Sequence, residues 1–270
     1  MGSCLMKYKQ ITPDDIEPFL KSPDWHLQQK LDGIRARLVV EGSKASVLGN
    51  TGGPLVSTTA MPVVRDILRY AMDRPGSYSL EGEIIGSKWW IYDMPMSKVP
   101  WVQRLTMLHN TMRTVHSSWM RICPTAMTAD IKRKAWDAIL REGVEGAVLK
   151  HVNGTIVDGD KRVSHVLKCK VTHTIDAFVT ERGIGNGYDG TDNWLSFAVL
   201  QGTAIKHLGR CSTIGKPYAN VGDVIELKYL YVGAGGKLVQ PTHLRNRPDK
   251  TPDECTTEQL KFVSKTVVTF

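Results

Sequence analysis

The sequence predicts an α+β fold, with antiparallel sheets and flanking helices over residues 1–172 and a small β-barrel over residues 173–270. Three observations predict it. Segments with two-residue alternation surround Lys30, two later segments have the apolar spacing of helices, and Gly, Thr and short β-branched runs dominate after Lys170. A chain of 270 residues is long enough for one large domain or two modest ones.

The first predicted strands flank a tight turn. One strand covers Trp25 to Lys30, the turn falls at Asp32 and Gly33, and the second strand alternates from Ile34 to Val40. Asp and Gly are favoured in turns because they tolerate backbone angles that other residues avoid. We therefore expect Lys30 at the end of a strand.

Two segments have the spacing of amphipathic helices. The first runs from Pro62 to Asp73 with a polar start at Thr58-Thr59, and the second runs from Asp130 to Glu142 with Gly143 placed to end it. Further strands are predicted at Tyr78–Ile85, Lys88–Tyr92 and Val144–His151.

The predicted barrel begins between Val171 and Ile175. Its strand-like segments are separated by Gly-rich turns, as in a five-stranded oligonucleotide-binding barrel, and no amphipathic helix is expected before the last few residues. The clearest of these segments are Asp176–Thr180, Leu195–Leu200 and Val224–Tyr231.

Charge and cysteine content restrict the class of protein. Lysine and arginine number 35 against 27 acidic residues, and the resulting net charge of +8 favours a polyanionic partner without requiring one. The five cysteines form no C-x-x-C pair and the eight histidines lack H-E-x-x-H spacing, so no zinc site is expected. No apolar run approaches the roughly 20 residues that span a bilayer. We therefore expect a cytoplasmic protein with no membrane partner.

Six short segments occur in order along the chain. A lysine beside Asp-Gly is common in solvated turns, so the first segment alone carries no assignment. The segments are Lys30-Leu-Asp-Gly-Ile-Arg35, Leu80-Glu-Gly-Glu-Ile84, Ile91-Tyr-Asp-Met94, Val144-Glu-Gly-Ala-Val-Leu-Lys150, Val166-Leu-Lys-Cys-Lys170 and Arg245-Asn-Arg-Pro-Asp-Lys250. Together they resemble the motif set of the covalent nucleotidyltransferase superfamily, specifically the ATP-dependent DNA ligases. The resemblance implies an adenylation (nucleotidyltransferase) domain followed by an OB-fold.

The resemblance implies that Lys30 becomes covalently joined to AMP. An amine attacks phosphorus only in its neutral form, which neighbouring cations and partial desolvation favour. Lys168 and Lys170 alternate on a predicted strand, so they share a face, where they supply such cations and can hold the α-phosphate during transfer. These three lysines form the predicted catalytic set.

Two carboxylates are expected in the same site. Glu83 and Glu145 stand in apolar strands beside glycine, where an unpaired charge is costly. The resemblance implies that Glu145 binds Mg²⁺ or Mn²⁺, together with phosphates and water, and that Glu83 contacts the ribose. The alternative is a carboxylate paired with Lys or Arg, which we expect above all for Glu81.

Other residues are expected around ATP. Arg35 matches the family arginine that contacts ribose or a carboxylate, and Tyr92 matches an aromatic residue that stacks on adenine, although such a residue is more often part of a core. Gln28 stands where many ligases place a Glu that reads the adenine amino group. Arg104 resembles a further family arginine, and a solvated surface position is equally expected for it.

The last motif lies in the predicted barrel. Arg247, Asp249 and Lys250 match the family motif that closes over ATP and orients the pyrophosphate leaving group. By itself, this segment is typical of a charged turn. Its position after Pro241, at the far end of the barrel, favours the functional interpretation.

Two positions depart from the family. Gly49-Asn-Thr-Gly52 replaces a Ser-Arg-x-Gly segment whose arginine lies near the 5′-phosphate of a nick. Asn50 carries no charge, so either Arg37 or Lys44 takes its place or the contact is weaker. Val166 stands where many ligases have Trp.

The function implied by the resemblance is nick sealing in double-stranded DNA by a monomer that uses ATP. With no separate DNA-binding domain evident, the two catalytic domains and their loops must grip the duplex. Within the superfamily, the alternatives are an RNA ligase or a GTP-dependent RNA-capping enzyme; length and the missing four-cysteine cluster disfavour an NAD-dependent ligase. A non-catalytic OB-fold protein that binds nucleic acid is the alternative from a different class.

Overall fold

The computed structural model describes residues 7–113, 115, 117–156, 162–184, 193–233 and 235–270. Its strands are β1 Lys7–Ile11, β2 Trp25–Gln29, β3 Ile34–Gly42, β4 Lys44–Leu48, β5 Gly76–Ile85, β6 Lys88–Asp93, β7 Met120–Ile122, β8 Thr125–Ala126, β9 Gly146–His151, β10 Arg162–Lys170, β11 His173–Gly183, β12 Trp194–Gln201, β13 Ala204–Ser212, β14 Val224–Tyr229 and β15 Thr242–Asn246. Its α-helices are α1 Glu17–Lys21, α2 Met61–Met72, α3 Trp101–Met112 and α4 Ala129–Glu142. Within the described residues, no helix is both long and apolar enough to cross a bilayer.

The first of two compact units runs to Lys170 and also includes Lys265–Phe270. It contains two five-stranded sheets, with strand orders β1-β10-β9-β2-β8 and β4-β3-β5-β6-β7. Neighbouring strands are antiparallel except for the pairs β1 with β10 and β6 with β7. The predicted mixed α+β architecture with antiparallel sheets is confirmed.

Strand β3 shows how residue alternation positions the polar residues of this unit. Ala36, Leu38 and Val40 are buried in the same apolar cluster as the inward residues of helix α2. Arg35 and Arg37 alternate with them and therefore lie on the opposite face of the sheet. In the pairing of β3 with β5, Arg35 is opposite Glu83 and Arg37 is opposite Glu81. This face of the sheet therefore carries both arginines and both glutamates.

Helix α2 begins close to its predicted position and buries Val63 and Ile67 as expected. Its N-cap is Ala60, which makes no side-chain hydrogen bond to the helix. The polar start predicted at Thr58-Thr59 is therefore wrong. Pro62 in the first turn has no N–H for a cap to bind, which weakens the need for a polar cap.

Helix α3 lies where the sequence pattern predicts no helix. It buries Trp101, Arg104, Leu105 and Leu108, which have the spacing of one helical face. The side chain of Arg104 is only 2% exposed. Because a charged residue interrupts the buried stripe, the apolar residues alone do not show helical spacing. The solvated surface position expected for Arg104 is wrong.

Helix α4 matches its prediction and fixes the start of β2. Gly143 ends the helix in the left-handed conformation with φ 61°. Lys132 on α4 is fully buried, and its Nζ donates to the carbonyl oxygens of Phe19 at 3.0 Å and Trp25 at 2.9 Å, and also to that of Ser22. The helix thereby holds the beginning of the strand that leads to Lys30.

The second unit covers Val171–Ser264. Its five strands form an antiparallel sheet in the order β13-β12-β11-β14-β15, around an apolar cluster that includes Phe197 and Leu227. Among its described residues, the only helical elements are two 3₁₀ turns, Pro252–Glu254 and Thr257–Gln259. The last six residues, which the sequence assigned to the second domain, lie in the first unit.

The four cysteines that the structure describes are all buried free thiols. Cys169 lies between Lys168 and Lys170 on β10 and is fully buried, as the alternation predicts. Cys4 lies outside the described residues.

Candidate active site

Lys30 immediately follows β2, as expected from the sequence. Its backbone N–H donates to the carbonyl oxygen of Gly146 at 2.8 Å, next to the pair of Gln29 at the end of β2 with Ala147 near the start of β9. The following turn is held by Glu83, whose Oε2 accepts the backbone N–H of Gly33 at 2.7 Å. Strands from both sheets of the first unit therefore fix the backbone on either side of Lys30.

Two glycines allow these strands to approach each other closely. A Cβ atom added at Gly146, where φ is +142°, would lie 2.1 Å from the carbonyl oxygen of Cys169. A Cβ atom added at Gly33 would lie 2.5 Å from the carbonyl oxygen of Ile84. Because both obstacles are backbone atoms, the close approach of the strands requires glycine at these two positions.

Lys30 and Lys170 share one carboxylate. The Nζ atom of Lys30 lies 2.7 Å from Oε2 of Glu145, and the Nζ atom of Lys170 lies 3.3 Å from Oε1 of the same residue. Glu145 is buried, so the two ammonium groups offset the cost of removing its charge from water. Lys168 is two residues before Lys170 on β10 and therefore lies on the same face.

A cavity that opens to solvent is lined by Lys30, and the space within it, part of which is open solvent, is about 400 Å³. The cavity brings together four of the residues predicted from the sequence and five others. The predicted ones are Gln28, Lys30, Glu83 and Tyr92, and the others are Tyr8, Gln29, Leu31, Val148 and Lys150.

Tyr92 is fixed at the cavity wall through its side chain and its backbone. Its hydroxyl donates to Oε1 of Glu81 at 3.1 Å, and its carbonyl oxygen accepts from Nζ of Lys150 at 2.9 Å and from Nε2 of Gln28 at 3.4 Å. Burial, followed by the negative charge of Glu81, raises the pKa of the Tyr92 hydroxyl. The tyrosine therefore presents a neutral ring to the cavity.

Arg35 is engaged by a carboxylate. Its Nε and Nη2 atoms donate to Oε1 of Glu81 at 2.9 and 2.7 Å. Glu81 is thus paired with an arginine, which is the interpretation that the sequence favoured for this residue. Arg35 also lies opposite Glu83 in the strand pairing, so it stands beside the cavity without lining it.

Lys150 belongs to a buried charged cluster that the sequence did not reveal. Its Nζ lies 3.6 Å from Oδ2 of Asp93 and 3.9 Å from the centre of the Trp101 ring, while Arg104 donates to both carboxylate oxygens of Asp93. Burial alone raises the pKa of the Asp93 carboxyl, but the positive charges of Lys150 and Arg104 outweigh it and hold this pKa below its usual value. The cluster connects α3, β6 and β9 behind the cavity. Lys150 is the last residue of the Val144–Lys150 segment, and its place in that motif is the sequence feature by which it could have been found.

The pKa of Glu83 is raised from 4.5 to about 7, principally by burial. The positive charge of Lys30 and the hydrogen bond from the N–H of Gly33 lower this pKa but do not outweigh burial. The folded protein therefore retains a proton on Glu83 at pH values where the unfolded chain has lost it. Stability should fall as the pH rises from about 4.5 to about 7, because folding then requires proton uptake.

We expect Glu83→Gln to remove this pH dependence. The amide oxygen can still accept the N–H of Gly33, and no ionisation remains at this position. In urea unfolding from pH 4.5 to pH 8, the free energy of unfolding of the variant should gain about 3 kcal/mol relative to that of the parent. Parallel pH profiles for the two proteins would contradict the prediction.

The last motif is organised around a buried aspartate in the second unit. Arg247 donates through Nη1 to Oδ1 of Asp176 at 2.9 Å and through Nη2 to Oδ2 of Asp249 at 2.7 Å, and Lys250 donates to Oδ2 of Asp176 at 2.7 Å. Hydrogen bonding to Arg247 lowers the pKa of Asp249 to about 2. Asp176 lies on β11 and was not a candidate from the sequence, although it begins one of the predicted strand segments. It holds Arg247 and Lys250 side by side.

The two residues considered as replacements for the family arginine occupy different places. Arg37 lies on the same sheet face as Arg35, two residues further along β3. Lys44 is exposed at the first position of β4, and Asn50 is exposed in the turn that follows β4. Arg37 and Lys44 both lie on the sheet face that carries Glu81 and Glu83, because Lys44 is opposite Glu41 in the pairing of β3 with β4, but only Arg37 is directly opposite one of these glutamates.

The carboxylates of the site can supply only a minority of the ligands that a divalent cation needs. No group of three or more His, Cys, Asp or Glu residues among those described is placed to hold a metal. Glu145 offers one buried carboxylate, both of whose oxygens are occupied by lysines. Such a donor set suits Mg²⁺, which takes most of its ligands from phosphates and water.

These features define an α+β protein in which a lysine paired with a buried carboxylate lines a cavity that opens to solvent. No protein-family model and no curated protein matches the chain. Solved structures do match. A structure from a structure–function analysis of Lig E DNA ligases, described as binding DNA with a minimal scaffold, has a TM-score of 0.67 at 17% identity and covers 92% of this chain and 100% of that one.

Two mycobacterial structures have the same fold. DNA ligase D complexed with ATP and MES has a TM-score of 0.53 at 15% identity, covering 94% of this chain and 98% of that one. The ligase domain of Mycobacterium tuberculosis LigD has a TM-score of 0.50 at 15% identity, covering 93% and 98% of the two chains. The predicted resemblance to minimal ATP-dependent DNA ligases is confirmed at the level of the fold.

Proposed function

We propose that this protein is an ATP-dependent DNA ligase that seals nicks in duplex DNA through a covalent lysyl-AMP intermediate. The observation that carries the proposal is the position of Lys30, at the wall of the cavity with its Nζ 2.7 Å from Oε2 of Glu145. The fold it shares with DNA ligases supports the proposal, and one of the matching structures is a ligase complexed with ATP.

In the first step, Lys30 attacks the α-phosphate of ATP. Its ammonium group must first lose a proton, and the carboxylate in contact with it is that of Glu145. A nitrogen–phosphorus bond then forms while the bond from the α-phosphorus to the bridging oxygen breaks, and pyrophosphate leaves. Lys168 and Lys170 lie on β10, which is separated from β2 by β9, and they stabilise the negative charge that shifts during this transfer.

In the second and third steps, the nucleotide passes to DNA and is released. An oxygen of the 5′-phosphate at the nick attacks the phosphorus of lysyl-AMP, and the nitrogen–phosphorus bond breaks. The adjacent 3′-hydroxyl then attacks the 5′-phosphorus and AMP leaves. Because each step is an in-line displacement, positioning and charge stabilisation dominate the catalysis.

The remaining predicted residues have proposed roles in nucleotide binding. Tyr92 stacks on adenine, Glu83 contacts the ribose, and Arg35 orients Glu81 and Tyr92 beside it. Glu145 is the proposed protein ligand for Mg²⁺, whose chemistry would be to neutralise charge on the phosphates.

The second unit is proposed to be the OB-fold domain, which begins near residue 173. Its cations Arg247 and Lys250 orient the pyrophosphate, and Asp249 holds Arg247 in place. The net charge of +8 favours the DNA duplex as partner, and binding should weaken steeply with salt as phosphate contacts release counterions.

The test is covalent labelling followed by a chase. The protein is incubated with Mg²⁺ and α-labelled ATP, GTP or NAD, and the labelled protein is then mixed with nicked duplex DNA or with nicked RNA. We expect label from ATP that is chased by nicked DNA. Label from GTP alone would favour a capping enzyme, a chase by RNA alone would favour an RNA ligase, and no label from any nucleotide would contradict the proposal.

A further inference from the structure

The amide group of Gln28 is held in one orientation. Gln28 is 2% exposed, lines the cavity, and lies directly opposite Thr125 in the pairing of β2 with β8. Its Nε2 donates to Oγ1 of Thr125 at 2.8 Å and to the carbonyl oxygen of Tyr92 at 3.4 Å. Both hydrogens of the amide nitrogen are therefore directed at protein acceptors.

The direction of these hydrogen bonds is fixed by backbone groups that cannot donate. The hydroxyl of Thr125 donates its single proton to the carbonyl oxygen of Cys123 at 3.2 Å, so its Oγ1 can only accept from Gln28. The carbonyl of Tyr92 is an acceptor by nature, and it also accepts from Lys150. A reversed amide would place Oε1 of Gln28 against two acceptors, with no hydrogen between them.

We propose that Thr125 is a positioning residue that makes the Gln28 carbonyl oxygen the group that reads the nucleobase. This inference rests on the proposed function, because it requires a nucleotide in the cavity. With both amide hydrogens committed, Oε1 is the end of the side chain that remains for a ligand, and it can only accept. A 6-amino purine offers a hydrogen there, whereas a 6-oxo purine offers a second acceptor.

The chain therefore selects adenine through a hydrogen-bond relay. In this relay, Cys123 fixes Thr125, Thr125 fixes Gln28, and Gln28 fixes the purine substituent. A glutamine amide can present either its oxygen or its nitrogen to a ligand, whereas the Glu that many ligases have at this position can only accept. The relay explains how Gln28 also acts only as an acceptor. None of these contacts involves the reacting phosphate, so the relay affects the choice of base and not the chemistry.

The sharpest probes are ATP and inosine triphosphate, which differ by the exchange of a 6-amino for a 6-oxo group. The experiment compares Thr125→Val, which keeps the β-branched shape without the acceptor, with the matched control Thr125→Ser, which keeps the hydroxyl. Two quantities are measured: the ratio of covalent labelling rates with the two nucleotides, and the ratio of their binding constants from thermal-shift titrations.

We expect the parent and Thr125→Ser to prefer ATP equally, and the preference of Thr125→Val to fall by about two- to tenfold, the value of one hydrogen bond. A general loss of stability would change both nucleotides alike and leave the ratio unchanged. An unchanged ratio in Thr125→Val, or a parent protein that does not prefer ATP, would overturn the inference. A protein that binds ATP selectively but is never labelled would instead contradict the proposed function and leave the relay standing.

Discussion

Lys30→Arg should abolish covalent labelling by ATP while leaving the fold intact. The guanidinium group keeps a positive charge opposite Glu145, so the buried carboxylate that Lys30 contacts at 2.7 Å remains compensated. Arginine stays protonated at all working pH values and has no lone pair with which to attack phosphorus. Labelling should fall by at least about a thousandfold, below detection on a denaturing gel.

Two controls separate loss of the nucleophile from disturbance of the site. Lys170→Arg alters the other lysine that contacts Glu145 and leaves Lys30 in place, so it should still become labelled, at a reduced rate. Lys30→Arg supplied with nicked DNA that already carries AMP on its 5′-phosphate should still seal it, because the last step requires no lysine nucleophile. Normal labelling of Lys30→Arg would show that another residue accepts the AMP.

The elements that the sequence predicted correctly are those in which one face of a strand or helix packs on a core. β3 alternates from Arg35 to Glu41 because helix α2 covers one face, and α4 combines an apolar stripe with a terminal glycine. In both cases, the pattern that predicts the element depends only on residues close together in the sequence.

The elements that it missed depend on partners far along the chain. Helix α3 was hidden because Arg104, in the centre of its buried face, is neutralised by Asp93 on β6 and by backbone carbonyls. Arg104 therefore appeared suited to solvent when considered alone. Asp176 was overlooked for the same reason, since only the fold brings it to Arg247 and Lys250.

The candidate site was predicted as a set of residues and not as a set of contacts. The ordered motifs identified Lys30, Glu145 and Lys170, but the sharing of one carboxylate by two lysines depends on the pairing of β9 with β10. Thr125 belongs to none of the motifs, and its role becomes visible only through its position opposite Gln28. The motifs contain the residues that can contact a substrate. The residues that orient those side chains, such as Thr125, lie outside the motifs and have no recognisable sequence pattern.

Gly146→Ala should be among the most damaging single substitutions in the first unit. Its added Cβ would lie 2.1 Å from the carbonyl oxygen of Cys169 and 3.0 Å from Cα of Lys170, at a φ of +142°. Both obstacles are backbone atoms of β10, so no side-chain rotation can relieve them. Backbone strain and overpacking together should lower the free energy of unfolding by about 3 kcal/mol or more.

The same substitution should also reduce labelling by ATP in whatever protein remains folded. Separating β9 from β10 would move Glu145 away from Lys170, and the carbonyl of Gly146 also holds the backbone N–H of Lys30. Gly86→Ala is the matched control, since it has a φ of +58° with no atom within 4 Å of the added Cβ. It should cost only about 1–2 kcal/mol, the penalty for a left-handed conformation. The free energies of unfolding of both variants are measured by urea unfolding. Equal losses of stability would mean that the close approach of β10 is not the reason why glycine is needed at position 146.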